Sequence, residues 1–298
     1  MTLKRSINRS IKRVASFIRI SMDFERIEMM YRENPEDLDL RKAYFRECLR
    51  RNEEPTIYLD WVKKAYGIDL DLKSQYLNLE GKGLSDLKFL QDLYLPNLEM
   101  LVLHSNQIRS LDGLSGLNAP NLLSLNLDSN QITSLEGLSK FIAPKLAMLS
   151  FVKNSLTSLE GLSEFKAPSL LELYFGNNKI KSLKGLSGFK APKLARLELN
   201  DNYIDSLYDL KNLKSSIINL NLDTNKIESL DDMPRMPKLF RLFLSNNSLE
   251  SLDGLEQVKS TVLLEVRVEG NALDPTKLVK FYRKYPQFRS IVEGSTLI

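Results

Sequence analysis

The side chains best suited to nucleophilic or metal chemistry are almost missing from this chain: it has one histidine, His104, and one cysteine, Cys48. A catalytic imidazole needs a serine or cysteine nucleophile delivered to it and a third group to orient it. His104 has no such spacing around it and reads as a contact or surface residue. Cys48 lies in LRKAYFRECLRR, a helical stretch without an evident base, where a thiol serves as a small half-buried hydrophobe. The usual zinc set of four Cys and His ligands cannot be assembled, nor can an intramolecular disulfide. Gly81-Lys82-Gly83 is a glycine-rich fragment with no phosphate loop around it. The expectation is therefore no catalytic residue, no cofactor and no metal, so not an enzyme. Cysteine usage points to a reducing, cytoplasmic compartment.

Charge narrows the partners. The 298 residues carry 42 Lys and Arg against 38 Asp and Glu. The balance is uneven: 15 against 12 in residues 1–70, 5 against 2 in 274–298, and hence 22 against 24 between them. A slightly acidic middle lacks the clustered basic stripe that nucleic-acid phosphates require. Apolar runs are too short to span a bilayer.

What positions side chains in that middle is a repeat. SLNLDSNQITSLEGLSKFIAPKL returns 24 residues later as SFVKNSLTSLEGLSEFKAPSL, and again as YFGNNKIKSLKGLSGFKAPKL. On the pattern L-x-x-L-x-L-x-x-N-x-I/L the asparagines fall at Asn106, Asn130, Asn154, Asn178, Asn202, Asn225, Asn247 and Asn271, with Lys82 in the slot of an atypical first unit. In L-x-L, alternation gives a short strand with one buried face. The asparagine then stands at a sharp turn, where its amide can satisfy backbone groups. Glycines recur at Gly113, Gly137, Gly161, Gly185 and Gly254, and a proline precedes the next strand by a fixed offset, as at Pro96, Pro120 and Pro144. A proline just outside a strand removes no ladder bond. A single unit cannot bury its own leucines; stacking does, with every strand parallel to its neighbours.

Over residues 74–273 these motifs resemble the leucine-rich repeat family. The Asn-x-Ile-x-Ser-Leu-x-Gly-Leu rhythm is similar to the subclass found in the repeat-built regulatory subunit of type-1 protein phosphatase and in bacterial internalins. Repeats in those relatives run near 22 residues, and the extra SKFIAP-type residues here would fall on the convex side. Residues 274–298 resemble the C-terminal cap of intracellular members: Tyr282, Arg283, Pro286, Phe288, Ile291 and Gly294 match it, whereas Val292 and Glu293 depart from its Leu-Asp order. The resemblance implies an α/β solenoid of about nine repeats with a parallel concave sheet, closed by a lid and preceded by a small helical domain over residues 1–70.

In that domain Ile7, Ile11, Val14, Ile18 and Met22 share one helix face. Residues 1–22 hold six Lys and Arg and no acid, so membrane contact or an organelle transit role stands beside the simpler reading of a basic helix packed on its own domain. Asn34-Pro35-Glu36-Asp37 reads as a cap and first turn opening a helix towards Arg51; Pro55 opens another, ended by Gly67.

If the repeats stack, residues two, four and six places before each asparagine slot face the concave groove. Packing does not need them, yet Met100, Val102, Met148, Val152, Tyr174 and Phe243 are apolar or aromatic there. Seven acids and three arginines surround them, among them Glu172, Glu198, Arg196 and Arg241, and His104 stands in the same field. Large anchors ringed by charge are the pattern of a protein–protein contact surface. The reading is a protein-binding scaffold whose partner presents a basic face. Two alternatives stand beside it: a regulatory subunit of a protein phosphatase, and a bacterial or parasite protein delivered to a host cell.

Overall fold

The computed structural model describes residues 24–51, 53–213 and 216–293. The expected amphipathic helix of residues 1–22 and the cap residue Gly294 lie outside them. The chain separates into two compact units at the Asp71–Leu72 junction.

The first unit holds three helices: α1 (Phe24–Glu33), α2 (Leu38–Arg51) and α3 (Thr56–Tyr66). The cap of α2 is Asp37 and not Asn34: the Asp37 carboxylate accepts from the amides of Asp39 and Leu40, both at 2.9 Å. Asn34 instead closes α1, its amide donating to Met30 O at 3.1 Å. An acid accepting two first-turn amides also suits the helix dipole, which an asparagine three residues earlier could not serve. Gly67 ends α3 in the left-handed region at φ 67°. Aromatic rings make much of this core, Tyr31 stacking on Tyr44 at 5.0 Å and Phe45 meeting Tyr58 edge-on at 4.9 Å. The buried guanidinium of Arg41 lies 5.3 Å from the Tyr58 ring and 5.1 Å from that of Trp61. Ring faces of this kind attract a cation. Burial pushes the Tyr31 phenol up to about 12.

The second unit is a stack of short parallel strands: β1 (Tyr76–Asn78), β2 (Met100–Val102), β3 (Ser124–Asn126), β4 (Met148–Ser150), β5 (Glu172–Tyr174), β6 (Arg196–Glu198), β7 (Asn219–Asn221), β8 (Arg241–Phe243), β9 (Glu265–Arg267) and β10 (Val292–Glu293). They form one sheet in sequence order. Register is strict, so equivalent residues of successive repeats sit side by side, as Leu101, Leu125, Leu149 and Leu173 do. The cap is more than a lid. Asp274 caps helix α4 (Pro275–Lys284), whose Leu278, Phe281 and Tyr282 are buried, and β10 then pairs with β9 to extend the sheet by one strand.

Opposite the sheet the chain makes short 3₁₀ turns, among them Asp112–Leu114, Glu160–Leu162 and Lys184–Ser187. Between the layers the repeat leucines are almost wholly buried, with ring stacks Phe141–Phe165–Phe189 and Phe151–Phe175 spaced 5.6 to 6.3 Å. A ring over each next ring lets successive repeats share one continuous core.

The residue before each asparagine slot adopts positive φ. Gly81 and Gly270 do so at the ends, and Ser105, Ser129, Lys153, Asn177, Asp201, Thr224 and Asn246 have φ of 53–57° between them. β-Branched residues fit that region worst and asparagine best among residues with a Cβ. Thr224→Asn, copying Asn177 and Asn246, is expected to stabilise the protein by about 1 kcal/mol. A shift of the urea midpoint to higher concentration at unchanged slope would show it.

Candidate protein-binding face

The asparagines set the geometry of the face. Asn106 accepts from Leu84 N at 3.0 Å and donates to Leu79 O at 2.8 Å and Leu103 O at 2.9 Å. Asn130 repeats this on Ile108 N, Leu103 O and Leu127 O. Leu103 O thus serves two amides, and the same sharing continues to Asn271, which donates to Leu244 O and Val268 O. Each amide therefore ties its own turn to the preceding repeat, beyond the local role that its position at a turn suggests. A rigid spine of this kind fixes the spacing of every side chain on the sheet.

On that sheet the columns four and six places before the slot are the outward strand residues, and the column two places before follows directly. Met100 is 43% exposed, and Val102, His104, Met148, Val152, Glu172, Tyr174, Arg196, Glu198, Arg241 and Phe243 are half-buried. The structure brings all eleven to one face. It also pairs many of them. His104 Nε2 lies 3.1 Å from Glu80 Oε2, and its other ring nitrogen is 3.0 Å from Ser105 Oγ. The Tyr174 hydroxyl donates to the Glu172 carboxylate, and Arg196 approaches Glu198 at 3.6 Å. Arg241 and Arg267 both hold Glu265, and the Arg267 guanidinium lies 5.0 Å from the centre of the Phe243 ring. One face of Phe243 is therefore covered, so it offers less bare aromatic surface than its place in the column suggests.

These pairings split the charge. The end around β8 and β9 is internally neutralised, whereas the middle keeps its acids. Asp128 accepts from Val152 N at 2.7 Å and from the Ser150 hydroxyl. Asp223 accepts from Ser245 N at 2.6 Å. Burial, the largest influence on each, pushes the carboxyls of Glu198 and Asp223 up from their ordinary values despite these donors and Arg196. Arg196 acts on Glu198 and Arg267 on Asp223 without undoing that shift, and a half-desolvated carboxylate is stabilised further by another cation brought to it.

His104 differs from the expectation of an imidazole with no nucleophile or orienting group nearby, since Ser105 and Glu80 place a hydroxyl and a carboxylate at its two ring nitrogens. Cys48 is buried in the helical unit, and burial pushes its thiol up from its ordinary value, opposite to what a nucleophile needs. Among the described residues no group of three His, Cys, Asp or Glu side chains is placed to hold a metal ion. Among them, too, no helix is long and apolar enough to cross a membrane. One exposed column was absent from the sequence-based expectations: seven places before each slot, Leu123, Leu171, Ile218 and Leu264 are 40–56% exposed. A count of apolar residues at that repeat position would have found it.

Comparison with known proteins fits this architecture. A family model described as leucine-rich repeats, two copies, matches residues 96–140. No curated protein matches the sequence. An internalin of Listeria monocytogenes superposes with a TM-score of 0.53 at 24% identity, covering 74% of this chain and 67% of that one. Internalin C2 of the same organism gives 0.53 at 22% identity, covering 72% and 91%. A leucine-rich repeat protein of Leptospira interrogans reaches 0.48 at 25% identity, with 74% of this chain and 48% of that one covered. With its tandem leucine strands and shared asparagine spine, this chain has the leucine-rich repeat fold, matches the leucine-rich repeat model over residues 96–140 and is similar in its solenoid to the internalins.

Proposed function

We propose that the protein is a binding scaffold that presents the concave face of its sheet to a protein partner with a basic surface. The observation that carries this reading is the face itself: apolar side chains left partly open on the sheet, held in register by the asparagine spine, beside carboxylates whose charged form burial disfavours. Rigid presentation lowers the ordering cost of association, and desolvated acids at the centre select for a partner that supplies Lys or Arg. Binding requires no covalent step. A cytoplasmic setting remains the expectation from cysteine usage.

The test is a crosslinking pull-down from cell lysate with wild type and a Tyr174→Ala, Phe243→Ala double variant. Tyr174 and Phe243 are only half-buried, so the double variant is expected to keep the wild-type unfolding transition. At least one protein should be captured by wild type and reduced about tenfold by the variant, as expected for the loss of anchors worth 1 to 2 kcal/mol together. Equal capture would place the function outside the concave face. A phosphatase catalytic subunit in the lost fraction would specify the regulatory-subunit reading.

A further inference from the structure

Where the chain turns into each strand, strict alternation breaks. The residues seven and six places before the asparagine both face solvent, between leucines that are fully buried, as with Glu99 and Met100 between Leu98 and Leu101. Their two amides converge on one carbonyl of the preceding repeat: Glu99 N and Met100 N both donate to Gln75 O, at 2.8 and 3.0 Å. The chain turns a corner there, and this corner is repeated down one long edge of the sheet.

At the first two repeats the corner residue is polar, Gln75 and Glu99. From Leu123 onward it is apolar in seven successive repeats. Leu123, Leu171, Ile218 and Leu264 are 43%, 45%, 40% and 56% exposed, with smaller or half-buried apolar residues between them. Backbone bonds run from each to the next, so the side chains stand side by side: Leu171 N donates to Ala147 O and Ile218 N to Ala195 O. Six strand spacings of ~4.8 Å give an apolar ridge roughly 29 Å long. A helix of about 20 residues has the same length. Scattered exposed leucines are ordinary, but a contiguous line of them is not.

The charge beside the ridge indicates what covers it. Two residues before the corner stand Lys145, Lys193 and Lys238, all exposed, with no carboxylate within salt-bridge distance among the described residues. The Lys145 ammonium is held by Asn121 Oδ1 at 2.8 Å. On the inner flank lie Arg196 and Arg241, each near a carboxylate, and Glu172, whose carboxylate takes the Tyr174 hydroxyl. A second copy of this chain fits badly. Two ridges packed antiparallel about Ala195 would set Lys193 against its own mate and Lys145 against Lys238, in a desolvated contact.

We propose that this edge is a second docking surface, separate from the concave face, and that its occupant is an acidic amphipathic helix of another protein. Apolar side chains at helical spacing would lie along the ridge, with Glu or Asp on the outer flank meeting the lysine row. The proposal does not rest on the concave-face reading.

The probe is a display library of 20-residue peptides, selected on the full chain and counter-selected on a Leu171→Asp, Ile218→Asp variant. Both positions are exposed, and an unchanged unfolding transition would confirm that the variant folds. A second variant, Lys193→Glu, Lys238→Glu, leaves the apolar ridge intact. Selected peptides are expected to be net negative with apolar residues at i, i+3, i+4 and i+7. By fluorescence anisotropy they should bind each variant at least tenfold more weakly than wild type, and bind wild type more weakly as salt rises. A Tyr174→Ala, Phe243→Ala double variant, which leaves the ridge and the charges on both its flanks unchanged, should bind them as wild type does. Failure to select any ridge-dependent peptide, or selection of basic ones, overturns the proposal. So does wild-type self-association in sedimentation that Leu171→Asp abolishes, which would give the edge to a second copy.

Discussion

Replacing Gly185 with alanine is expected to cost on the order of 4 kcal/mol or to prevent stable folding, the largest effect of any single methyl group in the solenoid. A Cβ at Gly185 would lie 1.6 Å from Leu159 O and 2.1 Å from its carbonyl carbon, in the 3₁₀ layer of the preceding repeat. Backbone on both sides leaves no flexible side chain to swing away. Gly185 does not need glycine for its dihedral angles, so the clash alone carries the effect. Relief would require the two repeats to part by more than an ångström, opening the contacts of Leu186 and Phe189, both buried in the same layer. Gly188, three residues on, is the internal control: its Cβ would meet Ser163 Cβ at 3.0 Å and the Ser163 backbone at 3.3 and 3.4 Å, tight contacts that a shift of a few tenths of an ångström relieves. Gly188→Ala should stay within about 1 kcal/mol of wild type, because the milder contact is partly offset by the reduced entropy of the unfolded chain. Urea unfolding of both variants decides it. Equal shifts would mean that the close approach of the 3₁₀ turns is not what demands glycine there.

Gly185 also shows where the sequence was legible and where it was not. The strands, their order and their buried leucines follow from a 24-residue period and a two-residue alternation, both visible in the chain without coordinates. The same period marked the glycines as recurrent but did not say why. Their reason is a distance between repeats, about 2 Å from a would-be Cβ to the backbone of the preceding repeat, and no local pattern encodes that. The cap of α2 was misplaced for a similar reason. Asn34-Pro35 has the composition of a helix start, but Asp37 reaches the amides of Asp39 and Leu40 and Asn34 does not. On the concave face the column rule located the residues, because register is strict. It could not show that Arg267 lies over Phe243 or that Glu265 is shared by two arginines, since those contacts depend on rotamers across strands. The edge ridge was missed for a different reason: strict alternation assigns each residue to one of two faces, and a corner has two successive residues outside.

Asn178→Asp should destabilise the protein by about 3–5 kcal/mol at pH 7, more than Asn178→Ala, although aspartate is nearly isosteric with asparagine. The buried Asn178 amide donates to Phe151 O at 2.8 Å, Phe175 O at 3.1 Å and Gly176 O at 3.3 Å, and its oxygen accepts from Leu156 N at 3.0 Å. Alanine removes these bonds, but the damage is limited by sharing. Phe151 O still accepts from Asn154 and Phe175 O from Asn202, which leaves the buried Leu156 amide as the main orphan, at about 2–3 kcal/mol. Aspartate keeps the bond from Leu156 and turns its second oxygen towards carbonyls. That carboxylate is either buried as an anion among acceptors or protonated so that it can donate once. Its folded pKa must therefore rise above the unfolded value near 4. With a raised folded pKa, the aspartate penalty is full above that pKa and shrinks as the pH falls towards and below the unfolded value. The alanine penalty has no titrating group and stays constant relative to wild type. Urea unfolding of wild type and both variants at pH 7 and pH 4 separates the cases. Aspartate should be the weaker of the two at pH 7, and the gap should narrow or reverse at pH 4. A gap that does not change with pH would mean that the carboxylate finds water at this position, and the asparagine spine would then be a wetter and looser element than its bond pattern implies.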